Sequence, residues 1–277
     1  MTVDNPLVSI LIPSYNHVKY ITQTLDSIYN DSYCNKEIII IDDGSVDNSV
    51  TVIEEWINGH KESIDIKFKT RENRGINKTL NELKSLANGD YYLIIASDDF
   101  LINNSIKKRI ELLKKHPDKM VVFGDAHIVD ENNVQVLESS IEQFHHGNKN
   151  ELMTDTGILK AALFNPVFSG ALDMIDKRIY DIIGDYPDNV KVEDWFFWQS
   201  VAISKKAIFI NDYVSCYRRH DANMTSESKV DIEILAGIYK TCKSNIKRLK
   251  FGLIKLKFIK FVFILHLRCI KYGVKVD

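Results

Sequence analysis

Over the first hundred residues the hydrophobic pattern switches repeatedly between two periods. Leu7–Ile12 (L-V-S-I-L-I) is a short apolar, β-branched run closed by Pro13, which predicts a buried strand. After the turn S-Y-N-H, Val18, Ile21, Leu25 and Ile28 fall at helical spacing. Glu37–Ile41 predicts a second buried strand, ending in Asp42-Asp43-Gly44-Ser45 with Asp47 just beyond, and Val50, Ile53 and Ile57 mark the next helix. Ile64–Phe68 reads as a more polar strand. Asn73-Arg74-Gly75 opens a helix with Ile76, Leu80 and Leu83 on one face, which closes near Asn88-Gly89. Tyr91–Ala96 then gives an unbroken apolar run, as expected of a strand buried on both faces, and ends in Ser97-Asp98-Asp99. This β-α-β-α-β-α-β order predicts an α/β protein with a parallel sheet and crossover helices.

The pattern loosens afterwards. Asn104–His116 predicts a surface helix with Ile106, Ile110 and Leu113 inward, stopped by Pro117. Met120–Phe123, Ala126–Val129, Val167–Met174, Ala207–Ile210 and Tyr213–Tyr217 have strand character. Glu138–Asn150 is polar and without period, which predicts a loop and makes it the plausible boundary between two halves; its His145-His146 pair reads as exposed loop histidines. Asp176 is placed as a helix N-cap and Gly184 as a C′ glycine. Glu193-Asp194 precedes W-F-F-W-Q-S-V-A-I, a buried helix by composition, where the dipole is expected to keep an N-terminal carboxylate ionised. From Lys247 the tail mixes Lys and Arg with bulky apolar residues, which predicts a basic amphipathic helix. Such a helix fits an anionic membrane surface, with packing on the domain or on a second subunit as the alternative.

The 277 residues suffice for one large α/β unit or a unit with a smaller subdomain, and a net charge of −2 gives no reason to expect nucleic-acid binding. Cys34, Cys216, Cys242 and Cys269 lie far apart, which argues against a zinc site and for reduced thiols in a cytosolic setting. The chain enters a strand almost at once and no apolar run reaches the ~18–20 residues of a membrane span, so neither a leader nor a spanning helix is expected. The candidate chemistry sits at two strand ends, each closed by an Asp-Asp pair. Adjacent carboxylates after a buried strand are costly without a cation or hydrogen-bond partner, and the carboxyl ends of strands are where open α/β sheets bind ligands. A hard divalent ion holding a phosphorylated substrate fits such pairs; a turn that merely uses two Asp is the plain alternative. Arg218-Arg219-His220 on a late loop suits phosphate or metal contact, or a solvated basic turn.

Four segments together resemble family 2 glycosyltransferases of the GT-A fold: V-S-I-L-I-P-S-Y-N (Val8–Asn16), I-I-I-I-D-D-G-S-V-D (Ile38–Asp47), N-G-D-Y-Y-L-I-I-A-S-D-D (Asn88–Asp99), and V-E-D-W (Val192–Trp195) followed by Y-R-R-H (Tyr217–His220). The resemblance implies a Rossmann-like, mostly parallel sheet flanked by helices. It implies a nucleotide-sugar-binding half over residues 1–137, an acceptor and catalytic-base half over 138–245, and a terminal helix over 246–277. It implies that Pro13, Tyr15, Asn16 and Asp43 hold the base of a nucleotide-sugar donor, a UDP-sugar first. Ser97 and Asp98 lie by the ribose or sugar, and Asp99 with His220 ligates Mn²⁺ or Mg²⁺. Asp194 is the general base, while Glu193, Trp195, Arg218 and Arg219 are available to acceptor or phosphate. Ser97 stands where the family's motif has an acid, and Leu80 where relatives often place a basic residue, so Arg74 or Lys78 is expected at the phosphate. One base and one metal imply single displacement with inversion. The implied role is transfer to a glycan or lipid-linked acceptor in bacterial surface-polysaccharide assembly, at the cytoplasmic face of the membrane. A catalytically silent domain of the same fold is the alternative, and a sugar nucleotidyltransferase a weaker one, since no glycine-rich phosphate loop follows the first strand.

Overall fold

The computed structural model describes residues 5–168, 171–188, 190–221 and 232–274. The alternating half of the chain forms as its pattern predicts: β1 (Val8–Ser14), α1 (Ile21–Tyr29), β2 (Lys36–Asp42), α2 (Ser49–His60), β3 (Asp65–Thr70), α3 (Ile76–Leu86) and β4 (Tyr91–Ile94). There follow β5 (Phe100–Leu101), α4 (Ser105–Lys115), β6 (Val121–Val129), β7 (Gln135–Leu137), α5 (Lys149–Leu152), α6 (Asp155–Phe164), β8 (Asp173–Asp176), α7 (Tyr180–Ile183), α8 (Glu193–Ser204), β9 (Ala207–Arg218), α9 (Ile232–Asn245) and α10 (Leu253–Lys271). One sheet has the order β3-β2-β1-β4-β8-β6-β9-β5, with β7 on β6. β1 pairs in parallel with β2 and β4, β2 with β3, and β6 with β9; β8 joins β4 to β6 antiparallel to both, so β1–β4, β6 and β9 share one direction.

The continuous apolar runs of β1 and β2 arise because both sheet faces are covered. Leu11, Ile39 and Ile41 face α3, α6 and α8 together with Phe123 and Trp198, while Ile10, Ile12, Ile38 and Ile40 face α1, α2 and α4. A third cluster joins α9 to α10, where Leu235, Tyr239 and Cys242 meet Phe258, Val262, Leu265 and Cys269.

Several later elements differ from their expected form. The runs at 120–123 and 126–129 are one strand, because β6 pairs with β9 from Val121 to Val129 and two irregularities beside Asp125 absorb the surplus residues of β9. Gly124 is needed there, since a Cβ would lie 2.6 Å from Val214 Cγ1 and 2.7 Å from the Asp212 carbonyl. The expected 207–210 and 213–217 strands merge for the same reason. Strand pairing of β8 begins only at Asp173. The polar 138–150 stretch is not plain loop: Ser139 caps a π-helical turn, Ser140–Phe144, and α5 starts at Lys149. Its polar side chains serve local backbone and buried Asp125, which accepts from Ser139 Oγ at 2.5 Å and from the Ile141 N–H at 3.0 Å, so no hydrophobic period could reveal the turn. Asp176 does cap, accepting from the Arg178 N–H, and Gly184 ends α7 at φ +80°.

Candidate active site

The strand order reverses at β1, with β2 on one side and β4 on the other, which opens a crevice beyond the carboxyl ends of β1 and β4. The turn after β1 lines that crevice. Pro13, Ser14 and the half-exposed Tyr15 form one wall of a cavity of about 450 Å³ whose other side is Asp43, Arg74, Gly75, Asn77 and Lys78. Asn16, at φ +55°, does not reach into it: its backbone N–H donates to Ser45 Oγ at 2.8 Å and its side-chain oxygen accepts from the Val46 N–H at 2.8 Å, bracing the β1 and β2 turns together.

The first Asp pair divides its work. Asp42 is fully buried and accepts from the Ser45 N–H and Oγ, at 2.8 and 2.6 Å, so it shapes its own turn. Asp43 accepts from Arg71, from the Arg74 N–H at 2.9 Å and from the Gly75 N–H at 2.9 Å. Oδ1 takes the first two and Oδ2 the third, so Oδ2 retains an acceptor site on the cavity wall. Arg71, at the end of β3, escaped sequence reasoning because nothing in the chain pattern links it to Asp43.

The second pair is more consequential. Asp98 Oδ2 lies 3.0 Å from His220 Nε2 and 3.7 Å from His17 Nε2, and one ligand atom from each of the three falls within 4.8 Å of the others. His17 Nδ1 is held by Ser97 Oγ at 2.8 Å, and His220 stacks on Tyr20 at 4.8 Å. Burial pushes the His17 ring below its ordinary pKa, with Asp98 opposing, so the imidazole is neutral near pH 7 and has a lone pair to offer. The expected metal ligand Asp99 is not in this group, which is a correction. It is 1% exposed, and its Oδ1 accepts the Arg218 N–H at 2.9 Å. Burial first, then the Asp98 charge, raise its carboxyl well above the usual range. His17 was missed, although it directly follows the P-S-Y-N turn.

Arg218 is also placed differently from expectation. It is 1% exposed and spends its donors on the protein: Nε on the Asp98 carbonyl, Nη1 on Asn133 and the Asp130 carbonyl, and Nη2 on Gln23. It is a brace, not a free phosphate ligand. Arg219 is exposed, with its guanidinium 5.1 Å from the Phe144 ring centre.

The E-D pair opens α8 beside a smaller cleft of about 130 Å³, which Asp173, Tyr186, Glu193 and Asp194 line with Leu80, Ile94 and Trp198. The helix dipole does not keep these acids in their ordinary range. Burial pushes Glu193 up to about 8, with Asp194 adding to it, and raises Asp194. Asp194 lines this cleft and is itself exposed, its Oδ1 accepting the Trp195 N–H at 2.6 Å. Asp173, a single acid inside an apolar stretch and without a sequence signal, is pushed up to about 8 by burial. Trp195 is committed: its indole N–H donates to the Ala162 carbonyl at 2.6 Å, tying α8 to α6.

A family model described as Glycosyl transferase family 2 matches residues 9–181. An uncharacterised glycosyltransferase of Rickettsia typhi is 26% identical over 231 residues, which cover 83% of this chain and 69% of that protein. An uncharacterised glycosyltransferase of Haemophilus influenzae is 39% identical over 113 residues, 40% of this chain and 44% of the relative. A third, from Rickettsia felis, is 33% identical over 127 residues, which span only 20% of its length. Among solved structures, the mannosyltransferase PcManGT of Pyrobaculum calidifontis, in complex with GDP-Man and Mn²⁺, superimposes with TM-score 0.68 at 20% identity, covering 96% of this chain and 70% of that one. Staphylococcus aureus TarS 1-349 in complex with UDP-GlcNAc does so with TM-score 0.68 at 18% identity, covering 98% and 76%. At these identities the likeness is one of fold, and the fold is the GT-A arrangement of a mostly parallel sheet flanked by helices.

Proposed function

Because this chain belongs to glycosyl transferase family 2, we propose that it moves a sugar from a nucleoside-diphosphate donor, a UDP-sugar first, to a hydroxyl of a glycan or lipid-linked acceptor, with inversion. The observation that carries this reading is that one turn serves two sites. Pro13 to Tyr15 wall the 450 Å³ cavity, and His17, two residues on, stands in the His17–Asp98–His220 group. A base in the cavity and a diphosphate at the histidines would then be held by the two ends of the same turn. Asp43 Oδ2 is available to a base N–H, and Arg74 and Lys78 are within the same wall for phosphate.

Two imidazoles and one carboxylate with converging lone pairs fit a divalent cation, and the nitrogen content favours Mn²⁺ over Mg²⁺. When bound, the ion would neutralise charge developing on the leaving diphosphate. The chain's own work is the rest. Ser97 and Tyr20 hold the two rings, Arg218 holds the Asp98 backbone, and Asp194 takes the acceptor proton. Its carboxyl is held above the usual carboxylate range, which strengthens it as a proton acceptor. Residues 1–137, completed by His220, would handle the donor, and the rest of 138–245 the acceptor. The proposed setting is assembly of a bacterial surface polysaccharide.

Calorimetric titration of the protein with UDP, GDP, CDP and dTDP, with Mn²⁺ and then EDTA, tests the donor site. One diphosphate should bind only with metal, and Asp98→Ala should abolish it while Asp99→Asn retains it. Absence of binding under every metal condition would replace this reading with that of a catalytically silent GT-A domain.

A further inference from the structure

The last helix has more apolar surface than its packing uses. Phe258, Val262, Leu265 and Cys269, all nearly or fully buried, recur at spacings of three and four and pack on α9 and α6. At roughly 100° per residue they occupy one stripe. The opposite side carries a second apolar band of Leu256, Ile259, Phe263, Ile264, Leu267 and Ile270, each between 42% and 58% exposed. Lys257 and Arg268 border this band on one side, Lys260 and Lys271 sit within it, and α10 holds no acidic residue at all. No helix among the described residues is long and apolar enough to cross a membrane.

Charge separates along the chain in the same sense. Nine of the 36 basic residues but only one of the 38 acidic ones fall in 247–277, so this tail carries +8 while the remainder carries −10. A second copy of the chain would set Lys257, Lys260, Arg268 and Lys271 against the same cations at this face, and a neutral apolar partner would leave the lysines within the band without counter-charge. An anionic lipid surface accepts the apolar band into its acyl boundary, pairs the lysines with phosphate, and repels the acidic body outward. Leu253 and Lys257 also line an apolar groove of about 550 Å³ between α10 and α6, so the band runs into a recess able to take a lipid headgroup or chain.

We propose that the outer face of α10 is a docking surface for an anionic phospholipid bilayer, on which the helix lies flat with Phe263 and Leu267 inserted. The inner stripe keeps α10 fixed to α9 and α6, and α6 in turn packs on α8, whose first turn holds Glu193 and Asp194. Docking therefore sets the orientation of the acceptor side relative to the lipid plane. The inference does not depend on donor chemistry: a chain that binds vesicles but no nucleotide keeps it and loses the proposed activity.

Sedimentation of the full-length protein with phosphatidylglycerol–phosphatidylcholine vesicles and with pure phosphatidylcholine vesicles tests it. Binding should be at least about tenfold stronger to the anionic vesicles and should weaken with salt. Phe263→Glu/Leu267→Glu should reduce it by about tenfold or more. Lys260→Glu/Lys271→Glu should remove the anionic preference. All four positions are exposed, so circular dichroism and thermal midpoint should stay at wild-type values. Equal sedimentation of wild type and Phe263→Glu/Leu267→Glu would overturn the proposal, as would no binding to either vesicle. Light scattering that shows a dimer split by the same pair, without vesicle binding, would assign the face to a second copy instead.

Discussion

Replacing Arg218 by Met separates a brace from a ligand. The side chain makes four hydrogen bonds, at 2.8, 3.2, 2.8 and 2.7 Å, to the Asp98 carbonyl, the Asp130 carbonyl, Asn133 and Gln23, and its guanidinium lies 4.7 Å from the Tyr20 ring centre. Hydrogen bonds from a charged donor are worth roughly 1.5–3 kcal/mol each, so the gross loss is about 6–12 kcal/mol. Releasing a buried cation from its desolvation cost returns part of this, and removing one member of a buried charged network typically costs about 3–5 kcal/mol net. Met fills a similar volume, so cavity terms are small. Against a usual total of about 5–15 kcal/mol, the variant should fold but lose a large part of its stability. Urea unfolding followed by far-UV circular dichroism reads the midpoint, and nucleotide titration on the folded variant reads the site. Arg218→Lys should recover less than half of the loss, because an ammonium cannot replace the planar fork. A midpoint within about 0.5 kcal/mol of wild type, combined with a selective loss of diphosphate affinity, would refute the brace and restore Arg218 as a phosphate ligand.

His17→Ala should weaken Mn²⁺ binding by about 10-fold or more without moving the thermal midpoint, read by calorimetry with metal alone; undiminished affinity would remove His17 from the metal group. Glu193 holds its proton up to about pH 8 in the folded protein but releases it near 4.5 when unfolded, so stability falls as pH rises between those values, by at most about 1.4 kcal/mol per unit. Glu193→Gln should therefore flatten that slope, and its advantage over wild type in urea midpoint should be larger at pH 8 than at pH 5; parallel profiles would contradict the raised pKa. Gly157→Ala would place a Cβ 1.8 Å from the Glu151 carbonyl at the α5–α6 junction, so it should cost about 1–3 kcal/mol or more, and a neutral thermal shift would show that the junction yields freely.

The sequence by itself determined the layered core, the parallel half of the sheet and the crevice its strand ends would face. Those features rest on local period and on short connections. β1 and β2 must bury both faces because every residue from Ile38 to Ile41 is apolar, and the right-handed crossovers then leave few topologies. The two Asp pairs were legible because adjacent acids after such strands have no cheap alternative placement. Which acid of each pair faces the site was not legible, because it depends on partners far along the chain. Asp99 turns inward to an N–H that arrives 119 residues later on β9, and Asp43 meets an arginine 28 residues away at the end of β3. His17 and His220 converge on Asp98 only once β1, β4 and β9 are assembled, and Asp173 meets Asp194 only across the sheet and α8. The same holds at α10, where composition shows a basic apolar helix but only packing decides which stripe α9 and α6 cover and which is left facing outward. Periodicity records what is buried, whereas sidedness and partner choice are settled by long-range contacts that no local pattern encodes.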